Sequence, residues 1–311
     1  VAVDEHVTQF AGLPVVNWES GTALAEPERS AYRLSIDYDE DDQRWTDKLA
    51  GLLADPESVR LAGIVVGPWS AESGEMGSSA PVIEALIAAR DRLPGLRAIL
   101  LGDIVSEECE ISWIEQSDVA PLLSAYPNLE HFCVRGSEEL ALDLSEHRRL
   151  QSLTIECGGL PRDVLQQVLA AQLPALEHLE LWLGTDSYGW DGTVEDLAPL
   201  LSGALFPKLR YLGLRDSEIA DEIAVAAAQA PILERIEVLD LSLGTLSDEG
   251  ALALLKSPLI RQLKKLDIHH HFCSAAMVAE LEGLGIEVDG SEPTTPDEWD
   301  GEEHRYVAVG E

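Results

Sequence analysis

The sequence predicts an α/β solenoid, in which short parallel strands lie side by side with a helix between successive strands. Three observations predict it. A six-residue frame (apolar, two variable, apolar, one variable, apolar) recurs eight times in order. Amphipathic helical patterns lie between its copies, and prolines stand at the joins. One such hexamer would carry nothing, since Leu-rich helices produce it by chance. Eight in order mark a repeat architecture.

The copies are Leu61-Ile64-Val66, Leu96-Ile99-Leu101, Leu129-Phe132-Val134, Leu150-Leu153-Ile155, Leu176-Leu179-Leu181, Leu209-Leu212-Leu214, Ile236-Leu239-Leu241 and Leu263-Leu266-Ile268. Their starts are 35, 33, 21, 26, 33, 27 and 27 residues apart. That period and leucine-dense frame are those of leucine-rich repeats. The last two apolar positions are two residues apart, so in a strand both point into the interior. The positions before, between and after them point onto the other sheet face. A strand this short cannot bury its apolar side alone, and stacking parallel neighbours makes one continuous core. Helices are about 10 Å wide and strands lie about 4.8 Å apart. The stack must therefore bend. The predicted fold is a curved α/β leucine-rich-repeat solenoid, with a concave parallel sheet and helices on the convex side.

Helices are predicted over Ser79–Arg92, Asp163–Gln172, Glu195–Leu205 and the alanine-rich Asp221–Ala230. Ser247 is an N-cap candidate for a further helix. Pro94, Pro127, Pro174 and Pro207 each stand two residues before a hexamer, and Pro231 and Pro258 stand five before. Proline disfavours helix in the residue ahead of it, so these mark the crossing from helix to strand.

A solenoid needs caps at both ends. Residues 1–60 read as the N-terminal cap, 61–290 as the solenoid and 291–311 as an acidic C-terminal tail. In the cap, Phe10–Trp18 is apolar with a turn at Gly12-Leu13-Pro14, and Tyr32–Tyr38 alternates like an edge strand. Leu49, Leu52 and Leu53 fit a following helix. Near the C-terminus, Ala275–Leu284 reads as a helix and Gly285–Val288 as a last short strand. The middle of the tail is turn-rich, and its end, Arg305–Val309, is suited to docking on an edge or a partner.

The repeats resemble the ribonuclease-inhibitor type over about residues 61 to 290. That type usually has Asn or Cys three residues after the hexamer. Here Ser137, Gly158, Gly184, Ser217, Gly244 and His271 stand there, which predicts a weak side-chain ladder and irregular repeats. Phe10–Trp18, Leu205–Ala224, Leu266–Phe272 and the closing RYVAVGE together resemble an uncharacterised group of bacterial leucine-rich-repeat proteins. The resemblance implies a fold and a genomic setting beside radical-SAM-type enzymes, and no catalytic residues.

Composition narrows the partner. The chain has 311 residues with 57 acidic and 21 basic side chains, a formal charge of −36, and 46% hydrophobic residues. That apolar share builds a core and excludes an acidic disordered polymer. The charge disfavours nucleic acid and anionic membranes. It suits a protein or peptide partner, a basic one in particular. The N-terminal stretch lacks a secretory pattern, no run approaches the roughly 18 apolar residues of a membrane span, and four cysteines form no CxxC pair. A cytoplasmic protein with reduced thiols is the expectation. Oligomeric state is left open.

The concave face is the expected binding surface. Its outward positions supply Arg135, Glu156, His178, Glu180, Trp182, Tyr211, Arg215, Asp240, Asp267 and His269. Trp182 and Tyr211 are expected as exposed anchors, with Arg135 and Arg215 as charge-assisted donors. The loop Gly184–Gly192 adds Tyr188 and Trp190. The acidic run 37–42 lacks the ligand order of a Ca²⁺ loop. His269-His270-His271 cannot all converge on one ion, because strand residues alternate sides. No nucleophile, phosphate-loop or zinc motif is present. The expectation is a non-enzymatic binding scaffold with no catalytic residues, cofactor or metal, serving a neighbouring biosynthetic enzyme through the contacts it makes. The alternative is a metal-dependent or catalytic accessory using concave His and Glu residues.

Overall fold

The structure, a computed structural model, describes residues 3–37, 43–71, 76–299 and 301–310. Of the acidic run 37–42, only Asp37 falls among them. The chain forms two compact units. One comprises the residues up to Glu156 with Ala170–Pro174, the other Cys157–Leu169 with Ala175–Gly310. Both are α/β leucine-rich-repeat arrays, as the hexamers predict.

The first unit holds strands β1 (Gln9–Phe10), β2 (Leu13–Asn17), β3 (Ala31–Leu34), β4 (Gly63–Val66), β5 (Ala98–Leu101), β6 (His131–Arg135) and β7 (Ser152–Glu156). They lie in chain order. β1 and β2 form an antiparallel hairpin, and every later neighbour pairs in parallel. Helices α1 (Trp45–Ala54), α2 (Ala80–Ala89) and α3 (Ala120–Ala125) sit side by side between strands. The 21-residue step from Leu129 to Leu150 has no room for a helix. Isolated parallel bridges carry the chain across instead, Glu115 to Glu138 and Asp118 to Ala141.

The second unit begins with helix α4 (Arg162–Ala170), whose last residue belongs to the first. It holds β8 (His178–Gly184), β9 (Tyr211–Ser217), β10 (Val238–Asp240), β11 (Lys265–Asp267) and β12 (Glu287–Asp289), all parallel in chain order. Between them come α5 (Ala198–Leu201), α6 (Ala220–Ala227), α7 (Asp248–Lys256) and α8 (Ala275–Glu282). Ser247 caps α7, its side chain accepting from the Glu249 amide. A separate hairpin, β13 (Asp297–Trp299) and β14 (Glu302–His304), follows.

The hexamers are the cores of both units. None of their 24 apolar residues is more than 4% exposed. At roughly 1.5 to 3 kcal/mol per fully buried aliphatic side chain, they dominate the stabilisation. The weak ladder is partly offset by His271. Its Nε2 lies 3.0 Å from the Gly290 carbonyl and its Nδ1 accepts from the Cys273 amide. All four cysteines are buried free thiols.

Two expectations need correction. β3 is not an edge strand. β2 pairs on its free side, and all four of its residues are buried. Nor is the outward face of the first unit open. Ala31, Val65, Leu100 and Cys133 line it, and Val7, Phe10, Leu13 and Val15 pack against them. The N-terminal segment turns back at Gly12, whose φ of 73° only glycine adopts freely. It then covers an apolar face that would otherwise meet water.

Candidate functional site

In the second unit the strand register places outward side chains in three rows. His178, Tyr211, Val238, Lys265 and Glu287 form the first. Glu180, Gly213, Asp240, Asp267 and Asp289 form the second. Trp182 and Arg215 begin the third. Glu180, Gly213, Asp240 and Asp267 each sit between apolar residues that fill the core, so strand alternation aims them outward, and Asp289 takes the same position by register.

The second row carries four carboxylates. Gly213 leaves a gap among them, and Tyr211 lies across it. A Cβ at Gly213 would stand 3.1 Å from Tyr211 Cε1 and 3.2 Å from Glu180 Cγ. The Tyr211 hydroxyl donates to Asp240 Oδ2 at 2.6 Å and lies 3.3 Å from Glu180 Oε2. The Tyr211 ring stacks on the His178 imidazole, centroids 3.9 Å apart and planes 12° off parallel. The pair forms a flat, half-buried plate over the row.

Arg215 crosses from the third row. Its Nη1 donates to Glu180 Oε1 at 2.6 Å and its Nε to Ser242 Oγ at 2.9 Å. Glu180 also accepts from the Trp182 indole at 2.8 Å and has His178 Nε2 at 3.4 Å. Burial alone would raise its pKa. The His178 hydrogen bond and the Arg215 charge overcome that and hold it down to about 2. Further along, Lys265 Nζ lies 2.8 Å from Asp267 and 3.5 Å from Asp289, and His269 Nδ1 lies 2.7 Å from Asp267. The Asp267 hydrogen bond raises the His269 pKa.

Asp267, His269 and Asp289 bring three potential ligand atoms within 4.8 Å of one another. The Lys265 ammonium already supplies positive charge there. His270 turns toward the Tyr306 carbonyl and His271 toward that of Gly290, so the three consecutive histidines diverge as strand alternation requires.

Several sequence-predicted residues sit differently than expected. Trp182 is fully buried and Trp190 only 3% exposed, so neither is an exposed anchor. Trp182 is laid flat by its bond to Glu180, with the Arg215 guanidinium carbon 5.4 Å from its ring centroid. The Tyr188/Trp190 loop packs onto its own unit, Thr185 N donating to the Gly158 carbonyl at 2.9 Å. Backbone approaches there so closely that a Cβ at Gly159 would fall 2.4 Å from the Tyr188 carbonyl. Tyr188 is half-buried.

Arg135 is 1% exposed and belongs to the first unit. Its Nε donates to Glu156 at 2.7 Å and its Nη1 to the Ile104 carbonyl at 2.7 Å. It holds structure together rather than offering a free donor. Asp103, absent from the predicted set, sits beside it. Asp103 is fully buried, takes Arg33 through Nε at 2.7 Å and through Nη2, and accepts from the Val7 amide at 3.2 Å. Asp289 is a second residue that the repeat pattern does not single out. A signal for it exists, because acids recur midway between the last two apolar positions at Glu180, Asp240 and Asp267.

Comparison with known proteins agrees with this architecture. The chain is similar to a Bacteroides fragilis protein of known crystal structure, with 32% identity over 85% of this chain and 74% of that one, at a TM-score of 0.79. It belongs to the same family. A Listeria monocytogenes internalin aligns at 13% identity over 92% of this chain and 82% of its own, with a TM-score of only 0.38. No family model and no curated protein matches. Among the described residues, no helix is long and apolar enough to cross a membrane.

Proposed function

We propose that the protein is a non-enzymatic binding scaffold whose second-unit sheet face takes a basic segment of a protein or peptide. The observation that carries this is a row of four carboxylates, two of which, Glu180 and Asp240, hold the His178–Tyr211 plate. Glu180, Asp240, Asp267 and Asp289 are met by two fixed cations, Arg215 and Lys265, which His178 and His269 join only when protonated. The face keeps residual negative charge. A partner arginine or lysine gains the half-buried aromatic surface and the more exposed Asp289, while Glu180, Asp240 and Asp267, each buried, attract it through their charge. The network is already hydrogen-bonded, so little ordering is needed on binding. The overall charge of −36 speeds encounter with a basic partner. The resemblance to proteins encoded beside radical-SAM-type enzymes suggests such an enzyme, or its peptide substrate, as that partner, and a cytoplasmic setting.

The test uses a labelled hexa-arginine peptide and fluorescence anisotropy. His178→Ala removes half of the plate from a side chain that is 34% exposed, so the fold survives. It should weaken binding about 5- to 10-fold, within the range of one cation–π contact. Glu57→Gln with Glu84→Gln removes two negative charges that are not part of the second unit's sheet face and should change affinity less than about 2-fold. Equal losses in the two variants would mean that charge alone attracts the peptide.

A further inference from the structure

The last described residues do not fray. Arg305 to Gly310 run across the second unit as a strap that belongs to no strand. Its contacts are peptide-like, and His270 Nε2 lies 3.5 Å from its Tyr306 carbonyl. Arg305 Nη1 donates to Asp221 Oδ2 at 2.8 Å and to the Thr245 carbonyl at 2.7 Å. Ala308 N donates to the Leu243 carbonyl at 2.7 Å, and Val309 N to Asp216 Oδ1 at 2.9 Å. Val309 is 3% exposed, whereas Tyr306 between these anchors is 55% exposed.

The seat looks built for an occupant. Asp216 is fully buried in a left-handed conformation, φ 52°, which costs a non-glycine residue free energy. One of its oxygens meets the strap amide. The other has no hydrogen-bond partner among the described residues. Burial pushes its pKa well above the usual carboxylate range. Beside it lies a cavity of about 490 Å³ in which Glu218, Asp221, Glu222 and Glu249 face Arg305, the one base lining it among the described residues. Apart from the strap, the seat therefore offers carboxylates and carbonyl acceptors, and it buries Val309.

We propose that this seat is a peptide-binding groove, distinct from the sheet face, and that the chain's own Arg305–Gly310 segment fills it in cis as an exchangeable ligand. The chemistry it recognises is an extended segment with an arginine followed four residues later by a small aliphatic residue. The main-chain bonds hold the segment in register, the acidic cavity selects the guanidinium, and the Val309 slot selects the second side chain. Tethering keeps the local strap concentration high, so a free peptide competes poorly until the strap is unseated. A strap resting on one buried side chain and a few hydrogen bonds belongs to the low-stability end of a structure, which suits exchange.

The test uses the full chain with Arg305→Ala and Val309→Asp together, and a labelled peptide of sequence RYVAVG. The variant should bind the peptide at least about 10-fold more tightly than wild type does. A scrambled peptide of the same composition should bind neither protein to that extent. Absence of binding to a folded variant overturns the proposal. So does equal binding to wild type, or equal binding of the scrambled peptide. If the double variant fails to fold, hydrogen exchange on wild type decides. The Ala308 and Val309 amides should be protected and should exchange faster than the core amides of Leu212 and Leu239. Exchange only in step with global unfolding would show a fixed part of the fold and overturn the exchangeable strap.

Discussion

The two units share one backbone frame and use its outward face in opposite ways. In the first, the position between the last two apolar residues of a hexamer holds Val65, Leu100 and Cys133, each buried, and in its last strand the half-buried Thr154. At Val65, Leu100 and Cys133 the outward face is apolar, and the N-terminal segment closes over it. In the second unit the same position holds Glu180, Asp240 and Asp267, bound to Arg215, Lys265, Tyr211 and His269. A strand apolar on both faces must be covered on both. A strand with buried carboxylates on one face needs cations and donors beside them, as Arg215, Lys265 and Tyr211 stand here. One residue per repeat thus decides whether the sheet gains a second apolar core or an ion-paired polar face.

The contrast breaks most sharply at Leu100. Leu100→Asp puts a carboxylate under Val7, Phe10, Leu13 and Val15, inside an apolar cluster. The cost should be about 4 kcal/mol or more, at the extreme of single substitutions. Asp289→Leu, in the corresponding row of the other unit, removes a half-buried carboxylate near Lys265 and should cost about 1 kcal/mol or less. Urea denaturation of both variants measures this. Comparable losses would mean that the faces are not used differently.

Next comes the ion pairing itself. Asp103→Ala leaves Arg33 and Arg135 buried without their shared acid. Removing one partner of a buried pair costs about 3–5 kcal/mol, and this one also frees the Val7 amide. Asp267→Ala in the second unit should cost about 1–2 kcal/mol, because the Lys265 and His269 side chains are 28% and 23% exposed and water can replace the acid. Chemical denaturation of the two alanine variants compares the networks directly.

Much of this architecture is legible in the amino-acid sequence. Leu153 and Ile155 must be buried because their spacing admits one strand face, and both are at 0% exposure. The positions of α6 and α7 follow from alanine density and from Ser247. Which outward side chains lie down is not legible. Trp182 looks like an anchor because indoles on open faces usually are. Its burial depends on Glu180 two residues earlier and on Arg215 one strand over, a three-body arrangement that periodicity does not encode. The N-terminal cover over Leu100 is equally hidden, since sequence spacing gives strand pairing and not what a terminal segment crosses. The strap falls between the two cases. Its apolar end points to docking, but the seat is made of Asp216, Asp221, Leu243 and Thr245, which are scattered along the chain between β9 and α7.

The smallest effect sharpens the comparison at the cover's own anchor. His6 stands between Glu108, at 3.2 Å, and Asp103, at 3.6 Å. Hydrogen bonds to Asp103 and Glu108 raise its pKa from 6.5 to about 9. A histidine with a raised folded pKa stabilises fully below its unfolded value and loses that contribution as pH rises through the folded one. The N-terminal cover should therefore be held at pH 6 and loosen between about pH 6.5 and 9. The side chain is 35% exposed, so solvent screening reduces the effect to about 1 kcal/mol. The wild-type minus His6→Gln difference in unfolding free energy should shrink steadily from about pH 6 to pH 10. A difference constant across that range would mean that Asp103 is satisfied by its arginines alone, and that apolar packing on Leu100 and Cys133, not charge, keeps the first unit's face closed.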